Sequence, residues 1–154
     1  MKAIFSLIVL LSTIKPIHVY IQKGSIYLYL KNEIRFDNND SLLQSNNKVT
    51  LNKIAIQLLE RPTLQIEIAS HTDIDAKKED ALDFTTKRAN NIKKYLIGRG
   101  VNPNRLIAKG YGFDKPLVKC KDYFNCTATE KRQNRRVCFK VILGDLGKHK
   151  IIKQ

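Results

Sequence analysis

Leu64, Ile66 and Ile68 alternate with Gln65, Glu67 and Ala69, the period-two signature of a strand with one buried face. Upstream, Leu51, Ile54, Ala55, Leu58 and Leu59 recur at helical spacing and predict a helix over residues 48–60. Pro62 stops that helix, because the residue before a proline is pushed out of the helical region. Residues 26–36 are rich in aliphatic and aromatic side chains and read as a strand, with turn-forming side chains at 37–41 breaking it. A second helix is predicted over residues 80–99, with Phe84, Ala89, Ile92 and Leu96 on its apolar stripe and Gly98 or Gly100 suited to its C-terminal cap. Residues 105–111 read as a third strand, and Val137, Phe139 and Val141 mark a fourth. The order β-α-β-α-β-β predicts an α+β two-layer sandwich with its helices on one face of a small mixed sheet. Nothing in the pattern suggests a repeat, a low-complexity linker or a second domain.

The ends of the chain are expected to lie outside that fold. After Met1-Lys2, an apolar run of about 12 residues has the length of an export-signal core and falls short of the ~20 residues that span a bilayer. Residues 1–22 are therefore assigned as a signal peptide or short N-terminal anchor, 23–144 as the folded domain and 145–154 as a basic tail. A first buried strand is the third reading of the N-terminal run. At 154 residues the chain suits one domain with an independent core.

The formal net charge of +14 points to a polyanionic neighbour without choosing among nucleic acid, an acidic membrane surface and an anionic polymer. Cys120 and Cys126 lie six apart in a loop-like polar stretch. A disulfide between them would staple a small loop, and three free thiols are the alternative. Cys138 alternates against Val137, Phe139 and Val141, which turns it away from the main core. Three cysteines so spaced do not make a structural zinc site, and no cofactor is implied.

The chemistry concentrates in Ser70-His71-Thr72-Asp73, with Arg88 fifteen positions beyond the aspartate. Arg88 shares an i, i+4 row with Phe84, Ile92 and Leu96, so it sits beside an apolar stripe and needs a partner. A guanidinium presents a rigid fork for a carboxylate, and an aspartate accepts from an ammonium. Together they suit a zwitterionic, amino-acid-like head group; the plainer reading is a salt bridge that fastens loop to helix. His71 with Asp73 is a poor metal site, and a hydrogen-bonding loop histidine is the better reading. Asp73 with Glu67 or Asp75 lacks any spacing that demands hydrolytic chemistry, and no nucleophile motif is present, so no enzyme is expected.

Phe36-Asp37, Ser70-His71-Thr72-Asp73, Arg88-Ala89, Tyr95-Leu96, Gly100-Val101, Arg105-Leu106, Gly110-Tyr111-Gly112 and Asn134-Arg135-Arg136-Val137 follow one another in order. This series resembles the OmpA-like peptidoglycan-binding domain, shared by OmpA C-terminal and MotB-like proteins, over roughly residues 26–142. The cysteine loop is similar to versions of the domain in Bacteroidetes-type bacteria. The resemblance implies non-covalent binding of the diaminopimelate stem peptide of peptidoglycan, with Asp73 taking the ammonium and Arg88 the carboxylate. It adds Asp37, Thr72, Asn134, Arg135 and Arg136 to the ligand-binding set. It also implies a periplasmic place at the outer membrane, with peptidoglycan, and other envelope or outer-membrane proteins, as partners. Ala81 stands where the family carries an asparagine that helps hold the ligand. Competing readings are a basic nucleic-acid-binding module, which the export-like start disfavours, and a stator-like protein anchored in the inner membrane.

Overall fold

The computed structural model describes residues 18–22, 25–29, 34, 43–74, 78–121 and 125–142. Five strands form one sheet: β1 (His18–Gln22), β2 (Ser25–Tyr29), β3 (Gln65–Ser70), β4 (Leu106–Gly110) and β5 (Val137–Ile142), in the spatial order β1-β2-β5-β3-β4. β3 and β4 are parallel and the remaining pairs antiparallel, so the sheet is mixed. The helices are α1 (Ser45–Leu59), α2 (Lys78–Gly98) and α3 (Ala128–Asn134). The α+β architecture expected from the sequence is present. Among the described residues, no helix is long and apolar enough to cross a membrane.

Two departures stand out. The sheet begins at His18, inside the stretch the sequence assigned to a signal or anchor, because β1 pairs along its whole length with β2. The stretch 26–36 also divides: its strand is Ser25–Tyr29, while Ile34 makes an isolated bridge to Val137. Residues 1–17 and the basic tail lie outside the described residues.

One core joins the layers. Ile66, Ile68, Leu106, Val137 and Phe139 from the sheet meet Leu51, Ile54, Ala55 and Leu58 of α1 and Ala89, Ile92 and Leu96 of α2. Each of the Val, Leu, Ile and Phe side chains contributes roughly 1.5–3 kcal/mol on full burial. Along β5, Cys138 alternates with buried Val137 and Phe139 and so stays off the core face, as its spacing predicts. α2 is the crossover that parallel strands require, since a hairpin cannot connect them. Its end follows from one residue: Gly100 has φ +92°, which a Cβ would penalise. This lets Gly100 N–H donate to the Ile97 carbonyl and Val101 N–H to the Leu96 carbonyl, closing the last turn.

Arg105 fastens α1 to the start of β3. Its Nε donates to the Leu64 carbonyl at 2.8 Å, and its Nη2 donates to the carbonyls of Leu58 and Arg61 at 2.9 and 2.6 Å. A cation among the orphan carbonyls at a helix C-terminus is favoured by charge and by hydrogen bonding. Arg105→Ala is expected to cost roughly 2–3 kcal/mol, and Arg105→Lys to recover little of it because an ammonium lacks the planar fork. Melting temperatures of the three proteins check this; a lysine variant equal to wild type would show that charge alone suffices.

Candidate functional site

The parallel strands β3 and β4 end side by side, and the crevice beyond such carboxyl ends is where open α/β sheets place ligands. Backbone hydrogen bonds knit the segments that leave them. Tyr111 N–H donates to the Ser70 carbonyl, Thr72 N–H to the Gly112 carbonyl and His71 N–H to the Arg136 carbonyl, each at 2.9 Å. α2 approaches closely at this end. A Cβ on Gly110 would collide with Thr85 and Thr86, which is why the Gly-Tyr-Gly turn needs its first glycine. Thr85 Oγ1 donates to the Ala81 carbonyl at 2.7 Å and accepts from Gly112 N–H at 3.0 Å. Ala81, fully buried beneath Gly112, has the small side chain that this contact tolerates.

Asp73 and Arg88 both belong to this end of the sheet, but neither stands open. Arg88 is 1% exposed and Asp73 3%. The Arg88 guanidinium lies 4.1 Å from the Phe84 ring centroid, and its Nη1 reaches toward the His71 carbonyl at 3.4 Å. Asp73 Oδ2 accepts from Arg135 Nη1 at 2.5 Å, and the Arg135 side chain is 19% exposed. A buried charge at Arg88 needs a partner, as its place beside the apolar stripe predicts, and uncompensated ions in a low-dielectric interior are costly; the chain supplies partners to both charges from its own residues.

The remaining expected residues divide by role. Thr72 is buried and its backbone joins the turn after β4. The Asn134 amide is engaged within the chain. Its Oδ1 accepts from Leu117 and Val118 N–H at 2.8 and 3.0 Å, and its Nδ2 donates to the Val118 carbonyl at 2.9 Å, so its amide latches that loop. Arg136 donates to the carbonyls of Lys115 and Asn134 at 3.1 and 3.4 Å. Asp37 and Asp75 lie outside the described residues. Glu67, the other acid weighed for hydrolysis, accepts from the Tyr111 hydroxyl at 2.6 Å.

Helix α3 had no place among the expected elements, though it places Arg135. Its signal was in the sequence: Thr127 caps the helix and Glu130, three residues on, reaches back to the Thr127 N–H at 2.8 Å, a capping box. These bonds also hold the Glu130 carboxyl below its ordinary range. The Cys120–Cys126 disulfide is formed and closes the loop leading into the helix. Arg135 is the C-terminal cap residue of α3.

His71 stacks on Tyr111 with ring centroids 5.0 Å apart. Burial, followed by the charges of Arg136 and Lys115, lowers its pKa to about 3, so it is neutral at physiological pH. Its Nδ1 and the Ser70 hydroxyl are buried with no hydrogen-bond partner among the described residues. The sequence reading expected a hydrogen-bonding side chain; the ring stacks on Tyr111 instead, and the bonds shown here are those of the backbone. Lys109 and Lys115 Nζ lie 5.0 and 4.5 Å from the Tyr111 ring centroid, adding to a positive surround.

The unfolded chain takes up a proton on His71 near pH 6.5 that the folded chain refuses until about pH 3. The fold therefore weakens as pH falls through that window, by up to roughly 1.4 kcal/mol per pH unit from this group. His71→Phe, which keeps the stack, is expected to flatten the decline in melting temperature between about pH 6.5 and 5, above the ordinary carboxylate range. An equally steep decline in the variant would remove His71 as its source.

The chain is similar to known proteins in both sequence and fold. Residues 35–135 match the model of the OmpA family. The chain is 32% identical over 114 residues to the peptidoglycan-associated lipoprotein of Rhizobium meliloti, covering 74% of this chain and 61% of that one. It is 29% identical over 105 residues to outer membrane porin F of Pseudomonas fluorescens, covering 68% of this chain and 31% of the porin. It thus spans from about a third to three fifths of these two relatives. Its fold is similar to that of a MotB like protein from Desulfovibrio vulgaris, with TM-score 0.66, 25% identity, and 85% and 81% of the two chains covered. The peptidoglycan-associated lipoprotein from Burkholderia pseudomallei is similar with TM-score 0.64, 24% identity, and 73% and 92% covered. With a family model matched over more than half its length, and the strand ends, turn glycines and paired charges of the site all inside that span, this chain belongs to the OmpA family.

Proposed function

We propose that this chain binds peptidoglycan without chemistry, taking the diaminopimelate part of the stem peptide between Asp73 and Arg88, and so tethers an envelope component to the wall. One observation carries the reading. A carboxylate and a guanidinium are buried at the carboxyl ends of the parallel strands, on consecutive elements joined through His71, in a family with members named for association with peptidoglycan. Burial is what makes such a pair discriminating. In a low-dielectric site each charge-assisted hydrogen bond to a ligand is worth about twice a neutral one. In this reading Asp73 accepts from the ligand ammonium, Arg88 donates to its carboxylate, and Arg136 and Lys115 contribute positive potential toward further stem-peptide carboxylates. Because Asp73 is already capped, binding exchanges an internal partner for an external one. The family relationship and this function together favour a periplasmic setting at the outer membrane, with other envelope proteins as further partners.

Asp73→Asn removes the carboxylate charge at nearly constant size, and Arg88→Lys keeps the positive charge but removes the planar fork that pairs with a carboxylate. Each is expected to abolish co-sedimentation with purified sacculi, a loss of about 2–5 kcal/mol of binding free energy for breaking a buried, hydrogen-bonded charge contact. Circular dichroism should show the fold retained. Equal sedimentation by wild type and both variants would remove these two residues from the site.

A further inference from the structure

Among the described residues Arg88, Arg135, Arg136 and Lys115 are cations at this end of the sheet, and they differ in what holds them. Arg88 is fully buried against Phe84 and His71. Arg136 spends its guanidinium on the carbonyls of Lys115 and Asn134. Lys115 lies over the Tyr111 ring. Arg135 combines a direct ion pair to Asp73 with access to solvent, its side chain being 19% exposed where that of Asp73 is 3%. A group approaching Asp73 from water therefore meets Arg135. The backbone beneath Arg135 is held by the Asn134 latch and the Thr127 capping box, so the side chain can swing while the chain stays in place.

From this we infer that Arg135 is a displaceable counter-ion that determines specificity: it caps Asp73, and a ligand ammonium takes its place. The inference rests on the proposed function above and adds a selection rule to it. A buried carboxylate is not left bare, so the site keeps one cation on Asp73 throughout. Guanidinium N–H and ammonium N–H are equivalent donors to that oxygen, and the two compete for it. Displacement leaves Arg135 without a partner at the rim. A ligand that also carries a carboxylate can engage the released guanidinium, whereas a plain amine cannot. Arg135 thus biases the site toward zwitterionic amino-acid head groups and against simple cations.

The test compares meso-diaminopimelate with cadaverine, the same five-carbon diamine without carboxylates, by calorimetry on wild type, Arg135→Met, Arg135→Lys and Asp73→Asn. Removing the cap is expected to tighten cadaverine binding about tenfold or more, the equivalent of one charge-assisted hydrogen bond, and to narrow the preference for diaminopimelate. Arg135→Lys, which retains a cation, should stay near wild type. Unchanged or weaker cadaverine binding by Arg135→Met would overturn the inference. Failure of the underlying site reads differently: diaminopimelate would then bind Asp73→Asn as well as it binds wild type. Should the methionine variant fail to fold, the ¹⁵Nε resonance of Arg135 in the wild-type protein decides. It should move in step with diaminopimelate occupancy, and a resonance unmoved at saturation refutes displacement.

Discussion

A carboxylate buried at the end of β3 sets the terms for everything around it. Asp73 lies where two parallel strands release their chains, a position that admits little water. An anion there is tolerable only with a cation in hydrogen-bonding range, and Arg135 supplies it. The same demand falls on Arg88, whose charge is buried among apolar neighbours and carries a ring contact and a carbonyl near its guanidinium. Two opposite charges withdrawn from water are poor contributors to stability, since apolar residues of equal volume would serve the fold as well or better. In the proposed function their value is in recognition, where the low dielectric that makes them costly also makes a matching ligand bind firmly.

Holding such a site requires rigid surroundings. Thr85 ties the turn after β4 to α2, Asn134 ties the 117–118 loop to α3, and backbone bonds from residues 71, 72 and 111 lock three chain segments together. Gly110 lets β4 and α2 approach to a distance that any side chain would forbid. Neutral His71 fits the same logic. A protonated imidazole beside Arg136 and Lys115 would add a further cation to an already positive corner, and burial keeps the ring uncharged. The ion pair at Asp73 is then the part most open to exchange, because its cation reaches solvent while its anion does not.

Binding by partner exchange, as proposed, also accounts for why a strongly basic chain need not be an indiscriminate binder of anions. Arg88, Arg105, Arg135 and Arg136 all have internal hydrogen-bonding partners, carbonyl oxygens in the case of Arg105 and Arg136. Their charge is spent locally before any polyanion arrives, and what remains for long-range attraction is largely the exposed lysines.

The regular elements were legible from one-dimensional periodicity. Alternation at residues 64–69, helical spacing in two segments and the glycine after α2 each reflect local backbone rules that act within a few residues. The ordered motifs likewise named Asp73 and Arg88 before any coordinates, and the six-residue cysteine spacing suggested the loop that the disulfide closes. Pairing was not legible. That β1 extends the sheet from His18, that Asn134 serves a loop seventeen positions before it, and that Arg135 pairs with Asp73 are contacts between distant parts of the chain. Sequence determines which charges must be buried, through the apolar stripes that flank them. Which partner each buried charge finds depends on where the folded elements bring side chains within about 3 Å, a distance no spacing along the chain encodes.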